Sequence, residues 1–403
     1  MAHFVVVGGG QAAASLVAKL RSEGFEGEIT LISAEPVPPY QRPPLSKAYL
    51  LGEMEEARLY LRPESWYADQ GITLRLGTRV TGVDPRARTV ALDTGENLSY
   101  DELALCTGSH PRTLPEEIGG HLEGVYSMRD LRDADTLAPE MQPGRRALIV
   151  GGGYIGLEAA AVAAKRGVQV TLVEAAPRIL QRVAAEATSD YFRSLHAAHG
   201  VDLREGVGLE RLTGTDRVSG AVLSDGSEIE ADFAVVGVGI VPATALAEGA
   251  DLEIENGIRT DEYGRTSDPH IWAAGDCASF PHDGKRLRLE SVGNAIDMAE
   301  CVARNMMGAE EAYAPRPWFW SDQYDCKLQI AGLSEGYDAV HTRRGEGAAV
   351  SHWYYAGDRL IAIDAMNDSR AYMVGKRLIE AGKSPPPETV RDTAVDIKAL
   401  LKA

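Results

Sequence analysis

The chain has 403 residues, 44% of them hydrophobic and 25% charged, with 59 acidic against 41 basic side chains and a formal net charge of −18. That length supports two or three domains with buried cores, and so large an acidic excess repels phosphate backbones and anionic lipid, which argues against nucleic-acid and membrane partners. The four cysteines, Cys106, Cys277, Cys301 and Cys326, form no CxxC pair, so neither a redox-active dithiol nor a zinc knuckle is written here, and a reducing cytoplasm suits them.

The first element is FVVVGGGQAAASL, residues 4–16, a β-branched strand, a glycine turn and an Ala-rich helix. The start lacks a basic n-region and becomes glycine-rich too early for a secretory signal. Gly8, Gly10 and Ala13 stand at GxGxxA spacing: the first permits a tight turn, the second lets backbone approach a pyrophosphate, and the small third lets helix and strand pack closely. The helix N-terminus then offers free N–H groups and the positive end of its dipole to an anion. Glu35 ends the next strand, EITLISAE (28–35), where a carboxylate can accept hydrogen bonds from a ribose diol.

The pattern returns in mid-chain. LIVGGGYIGLEAAA (148–161) places Gly151, Gly153 and Gly156 at the same spacing, and VQVTLVEA (168–175) supplies Glu174 as the acid. Residues 147–164 are nearly all apolar, but the three glycines and Glu158 favour a buried strand and helix over a membrane span. Each copy continues into short alternating strands, GTRVTGVDPRARTVALDTG (77–95) and GVGLERLTGTDRVSGAVLSDG (206–226). Each closes on an apolar strand ending in glycine, YDELALCTGS (100–109) and ADFAVVGVGI (231–240). Four matches in one order predict a duplicated dinucleotide-binding domain of α/β class.

Beyond the second copy, TSDPHIWAAGDCA (266–278) reads as another strand ending at Gly-Asp, followed by a helix over 293–307. From residue 315 the character changes. KLQIAGLS, YDAVHTRR and AAVSHWYYAGDRLIAIDAM predict an antiparallel meander with a hairpin turn at Ala356-Gly357-Asp358. Helices are predicted over 369–382 and 388–402, separated by Pro385-Pro386-Pro387.

Two nucleotide turns in one chain suit a hydride donor and a hydride acceptor, and FAD with NADH is the natural pair. Glu174 welcomes the free ribose hydroxyls of NADH and repels the extra phosphate of NADPH. Arg178 and Arg182 lie downstream, where they could in principle reach that phosphate, but they read rather as solvated helix-end charges.

The ordered set VVVGGGQAAASL, YQRPPLSKAYL, CTGSHPR, VGGGYIGLEAAA, VGVGIVPAT, AAGDCA, ESVGNA and PWFWSDQYD resembles the FAD-dependent, NADH-oxidising ferredoxin reductases that serve bacterial oxygenases and cytochromes P450. The resemblance covers nearly the whole chain, and RPPLSK together with WFWSDQYD is its narrowest part. It implies an α/β fold of two Rossmann-like dinucleotide-binding domains in a glutathione reductase-like arrangement, plus a C-terminal α+β domain with an antiparallel sheet. The expected division is 1–112 with 241–314 for FAD, 113–240 for NADH, and 315–403 for the C-terminal domain.

The same resemblance implies FAD contacts at Ala12 and Glu35 (pyrophosphate and ribose), Arg42 and Lys47 (near the flavin), Val80 (adenine), Arg129 and Asp276 (phosphate and ribityl chain), Val292 (flavin ring), and Thr107. For NADH it implies Tyr154, Ile155, Gly237, Glu158 facing the nicotinamide, and Glu290 near the nicotinamide ribose or amide. Lys47 would lie beside the reactive edge of the flavin, ion-paired to Glu158, as a cation favouring the charge gained on reduction. Trp318 and Trp320 alternate as core aromatics do, yet the resemblance puts Trp320 over the flavin and nicotinamide. Lys47, Glu158 and Trp320 are thus the expected catalytic residues. Electrons would leave singly to a 2Fe-2S ferredoxin.

The segment PVPPYQRPPLSKAYLLG lacks the cysteine that a disulfide reductase or NADH peroxidase would carry there. The rivals that remain are the same engine with another acceptor, a rubredoxin or a small-molecule radical, and a flavin-bound NADH-sensing interaction protein. The histidines have no metal-ligand spacing. Arg304 and Lys327 are the expected ferredoxin-docking cations.

Overall fold

The computed structural model describes residues 1–402. Its contacts divide into two units, one of 1–42, 55–110 and 240–317, the other of 43–54, 111–239 and the stretch from Trp318 onward. In the first unit a parallel sheet runs in the order Ile271–Ala273, Glu102–Leu105, His3–Val7, Glu28–Ile32, Ile72–Arg75. Its central strand reads as an unbroken apolar run because both faces are covered, with Val5 and Val6 wholly buried. The helices Gln11–Ser22 and Val292–Met306 pack against each other. A three-stranded antiparallel sheet, Val80–Asp84, Thr89–Leu92 and Asn97–Ser99, is the alternating segment of the first copy.

The second unit repeats the plan. Its parallel sheet runs Val125–Tyr126, Phe233–Val236, Arg146–Val150, Gln169–Glu174, Asp202–Glu205. Leu209–Gly214, Val218–Leu223 and Glu228–Glu230 form the matching antiparallel sheet. The duplication holds strand for strand, with one difference in source. The fifth strand of the first sheet comes from residues 271–273, after the second copy, and that of the second sheet from residues 125–126, before its glycine turn.

The C-terminal sheet is antiparallel but is not the simple meander expected. Its order is Trp318–Gln323, Cys326–Gly332, Arg359–Met366, Val350–Ala356, Ala339–Arg344. The last strand inserts beside Cys326–Gly332 because LIAIDAM is apolar on both faces and belongs in the middle, where Leu360, Ile363, Ala365 and Met366 are buried. The helix Ser369–Glu380 packs on this sheet, capped by Asp368, whose side chain accepts from Ala371 N. The helix expected over 388–402 is instead a five-residue α-helix, Pro387–Arg391, then a 3-10 segment, Ile397–Lys402. Buried Arg343 explains the break: its guanidinium donates to the carbonyls of Val390, Asp392 and Val395 at 2.9, 2.7 and 2.6 Å, taking acceptors that a continuous helix would need.

The helix Glu186–Ala198 meets the C-terminal sheet through buried polar groups. Thr188 Oγ1 donates to Asp364 Oδ2 at 2.7 Å and lies 2.8 Å from His352 Nδ1, while Tyr354 OH also donates to Asp364. Burial pushes His352 down to about 4, helped by Arg344 and opposed by Asp190, and pushes Asp364 up to about 6. His196 on the same helix is also driven down to about 4, by burial first and with His199 adding to it. The unfolded chain therefore binds more protons at both histidines between about pH 6.5 and 4, so stability falls on acidification there, while Asp364 acts in the opposite sense. Two histidines outweigh one carboxyl: acidifying from pH 7 to about 4.5 is expected to remove about 3 kcal/mol. Thermal melts of wild type and His352→Gln check this, since the variant should lose clearly less on acidification. An equal loss in both would refute the assignment.

No helix among the described residues is long and apolar enough to cross a membrane.

Candidate functional site

The two glycine turns are built alike. Gly8 has φ +141° and Gly151 φ +105°, conformations that L side chains rarely adopt. A Cβ on Gly8 would stand 2.2 Å from Cys106 O, and one on Gly151 would stand 2.5 Å from Gly237 O. In each copy the first glycine is thus wedged against the end of the neighbouring strand. The third position differs. A Cβ on Gly156 would meet Gly151 O at 2.0 Å, whereas Ala13 carries its methyl in a fully buried slot.

The second glycines face open space. Nothing lies within 4 Å of a Cβ built on Gly153, and only Arg42 Nε, at 3.9 Å, approaches one on Gly10. Gly10 and Gly153 are also the N-caps of the helices Gln11–Ser22 and Tyr154–Lys165, and neither helix has a side-chain cap on its first N–H groups. An uncapped helix N-terminus behind an open glycine is what a bound pyrophosphate needs. The residues present therefore fit two dinucleotides, one in each unit.

The acids at the strand ends are held differently. Glu174 accepts from Gly152 N and Ala176 N, both at 2.7 Å, which ties it to its own glycine loop. Glu35 accepts from Tyr40 OH at 2.5 Å and from Arg42 Nη2 at 2.5 Å, so two residues of YQR brace it. Arg178 is engaged locally, with Nη1 donating to Ser189 Oγ at 2.6 Å.

In the second unit Lys47 pairs with Glu158, whose side chain is buried. The two prolines of RPPLSK start a 3-10 turn, Pro43–Ser46, and Pro44 O accepts from both Lys47 N and Tyr49 N. This turn directs Ser46 and Lys47 at Glu158, in the second turn of the helix Tyr154–Lys165. Lys47 Nζ lies 2.6 Å from Glu158 Oε2, and Ser46 Oγ donates to the same oxygen at 2.5 Å. From the strand Trp318–Gln323, Ser321 Oγ donates to Glu158 Oε1 at 2.6 Å. Glu158 is 2% exposed, and Lys47 and Ser46 donate to one of its oxygens while Ser321 donates to the other.

Of the three residues expected to act together, Lys47 and Glu158 do meet. Trp320 stacks on Trp318 at 5.4 Å, on the face of its strand opposite Phe319, Ser321 and Gln323, because side chains alternate. Phe319 instead packs on Tyr154 at 4.8 Å. The Tyr154 hydroxyl is buried without a hydrogen-bond partner, and burial raises its pKa. Ile155 beside it is exposed.

The remaining expected residues fall as follows. Val80 is buried at the start of Val80–Asp84, and Ala12 is buried where a Cβ on Gly275 would touch it at 3.0 Å. Thr107 Oγ1 donates to Ala243 O at 2.7 Å, and Asp276 accepts from Ser109 Oγ at 2.9 Å. Val292 opens the helix Val292–Met306 behind its N-cap Ser291. Arg129 N donates to Asp133, which takes part in the capping box of Leu131–Leu137. Glu290 is paired with Arg288 at 2.7 Å. Arg304 is held in a two-pronged pair with Glu311 at 2.6 and 2.9 Å, whereas Lys327 is exposed, with its backbone N–H bound to Asn367 Oδ1.

Sequence reasoning missed Ser46, Ser321, Gln323, His196 and Tyr40. The signal for Ser46 was its place next to Lys47, and that for Ser321 and Gln323 was their two-residue spacing, which puts both on the strand face of Phe319. All four cysteines are buried and unpaired, and burial raises the pKa of each, so none is poised as a thiolate. No group of His, Cys, Asp and Glu among the described residues could hold a metal ion.

Residues 2–299 match the family described as pyridine nucleotide-disulphide oxidoreductase, and residues 318–401 match the reductase C-terminal family. Rhodocoxin reductase of Rhodococcus erythropolis is 41% identical over 402 residues, covering 98% of this chain and 94% of that protein. A ferredoxin–NAD(P)+ reductase of a Sphingomonas species is 44% identical over 384 residues, covering 94% of this chain and 92% of its own. Among solved structures, the covalent putidaredoxin reductase–putidaredoxin complex superposes with a TM-score of 0.96 at 37% identity, covering 100% of this chain and 98% of the other.

Proposed function

The chain belongs to the pyridine nucleotide-disulphide oxidoreductase family, and from that premise we infer that it is an FAD-dependent NADH:ferredoxin reductase. It takes hydride from NADH and passes single electrons to a 2Fe-2S ferredoxin that supplies a cytochrome P450 or a ring-hydroxylating oxygenase. The likeness to reductases named for their ferredoxins supports this reading. The observation that carries it is the coexistence of two open glycine turns with a buried Lys47–Glu158 pair and no reactive thiol.

Bound FAD supplies acceptance of two electrons and their release one at a time. The protein's part is to bind and to set charge. Residues 1–112 and 241–314 hold FAD through Gly8, Gly10, Ala12, Ala13, Glu35, Arg42, Val80, Thr107, Asp276 and Val292, with Arg129 and Trp320 from outside that segment. Residues 113–240 hold NADH through Gly151, Gly153, Tyr154, Ile155, Gly156, Glu174 and Gly237, with Glu290 from outside it, and 315–403 form the C-terminal domain. Lys47 places a fixed ammonium to favour the charge that reduction adds, and Glu158 holds that ammonium in place. No acid or base is needed for hydride transfer itself, which depends on orientation. Glu174 selects NADH over NADPH, and Arg178, tied to Ser189, is not available to a 2′-phosphate. Lys327 is the better docking cation, because Arg304 is already neutralised by Glu311. Buried, reduced cysteines suit the cytoplasm.

Anaerobic NADH should bleach the flavin absorbance rapidly, and a 2Fe-2S ferredoxin should then accelerate cytochrome c reduction. Fast bleaching without stimulation by any ferredoxin would assign another acceptor. Slow bleaching with a long-lived charge-transfer band would assign a sensor.

A further inference from the structure

The Glu158 carboxylate ends a longer series of buried contacts. Ser321 Oγ gives its only proton to Glu158, so its oxygen is the acceptor toward Gln323 Nε2 at 3.2 Å. That fixes the Gln323 amide with its carbonyl toward His196 Nε2, at 2.8 Å. His196 must then carry its proton on Nε2, leaving Nδ1 to accept from Tyr324 OH at 3.1 Å. Glu158, Ser321, Gln323 and His196 are all 2% exposed or less, so water does not compete along this path. Near the surface, exposed His199 stacks on Tyr324 at 3.6 Å between ring centroids. The donors all point the same way, toward the carboxylate, and aligned hydrogen bonds polarise one another.

We propose that Ser321, Gln323, His196 and Tyr324 are positioning residues for the Lys47–Glu158 pair, forming a one-way hydrogen-bond chain whose direction is set by the Glu158 carboxylate and which holds that carboxylate in place against Lys47. The chain's existence rests on the geometry alone; its consequence for NADH oxidation rests on the reading given above. Burial holds His196 neutral, so its tautomer reports the direction of the chain.

Glu158→Gln makes a specific test. Lys47 and Ser46, both donors, keep the new amide's carbonyl on their side, which turns its NH2 toward Ser321. Ser321 must then donate to Gln323, the Gln323 amide flips, and His196 accepts a hydrogen bond from it at Nε2 and carries its single proton on Nδ1. Nitrogen-15 NMR of histidine-labelled, FAD-loaded protein, assigned with a His196→Gln sample, should show the Nε2–H tautomer in wild type and the Nδ1–H tautomer in Glu158→Gln. Adding Ser321→Ala should cut the communication, so that His196 looks the same with Glu or Gln at 158. Ser321→Ala alone should slow flavin reduction by NADH about ten-fold, the loss of one hydrogen bond to a charged group.

An unchanged His196 tautomer in Glu158→Gln overturns the proposal, whatever the activity. If the tautomer switches but wild-type flavin is not reduced by NADH, the chain stands and the functional reading fails. If Glu158→Gln does not fold, Ser321→Ala decides: His196 should become a mixture of tautomers, and retention of pure Nε2–H overturns the chain.

Discussion

Replacing Gly151 by alanine is expected to leave a yellow, FAD-loaded protein that NADH barely reduces, with kcat/KM lowered at least about a hundred-fold. Two costs add at this one position. The φ of +105° is unfavourable for any residue with a Cβ, and the new methyl would stand 2.5 Å from Gly237 O. That oxygen belongs to backbone, anchored because Gly237 N donates to Val150 O, so no side chain can swing away to relieve it. The glycine loop must shift instead, and with it the helix N-terminus that is to meet the pyrophosphate. The turn at Gly8, proposed above to hold FAD, is a separate loop on a separate sheet, so flavin content should not change. Dithionite should still reduce the flavin normally, which locates the loss in NADH binding. Gly8→Ala is the converse case: with φ +141° and a methyl 2.2 Å from Cys106 O, it should yield colourless protein. If Gly151→Ala oxidises NADH at the wild-type rate, the second turn does not hold that nucleotide.

Lys47→Met is expected to be the most damaging single side-chain change. It leaves the Glu158 charge buried with only the hydroxyls of Ser46 and Ser321 to compensate it. Stranding one member of a buried pair costs roughly 3–5 kcal/mol, so the midpoint of thermal or urea unfolding should fall markedly. Loss of the fixed cation should also lower the rate constant for flavin reduction by NADH about a hundred-fold. The double variant Lys47→Met/Glu158→Leu removes both charges. It should recover most of the stability but none of the rate, which separates the structural cost of the lone carboxylate from the functional cost of the missing ammonium. Recovery of the rate in the double variant would show that Lys47 serves only to neutralise Glu158.

The nucleotide-binding halves were legible in the chain because their code is steric and local. A tight turn, an open glycine and a small residue at fixed spacing leave little freedom, and the acid at the next strand end follows from strand length. The copies therefore match strand for strand, down to the jammed first glycines Gly8 and Gly151. The C-terminal sheet was less legible. Its strands were visible as apolar runs, but their order depends on which run is apolar on both faces, and Arg359–Met366 took the middle. The end of the chain failed as a helix because Arg343, some fifty residues earlier, claims its carbonyls.

What the sequence determined by itself is the doubled scaffold, the two glycine turns and their acids, and the absence of a thiol beside RPPLSK. What only the tertiary structure decided is which polar groups converge: Ser46, Lys47, Glu158, His196, Ser321 and Gln323 come from a 3-10 turn, two helices and a strand. Taken one at a time, each reads as a helix-end charge or a core polar residue. A hydrogen bond requires its atoms within about 3 Å, and neither periodicity nor spacing carries distances between segments more than a hundred residues apart.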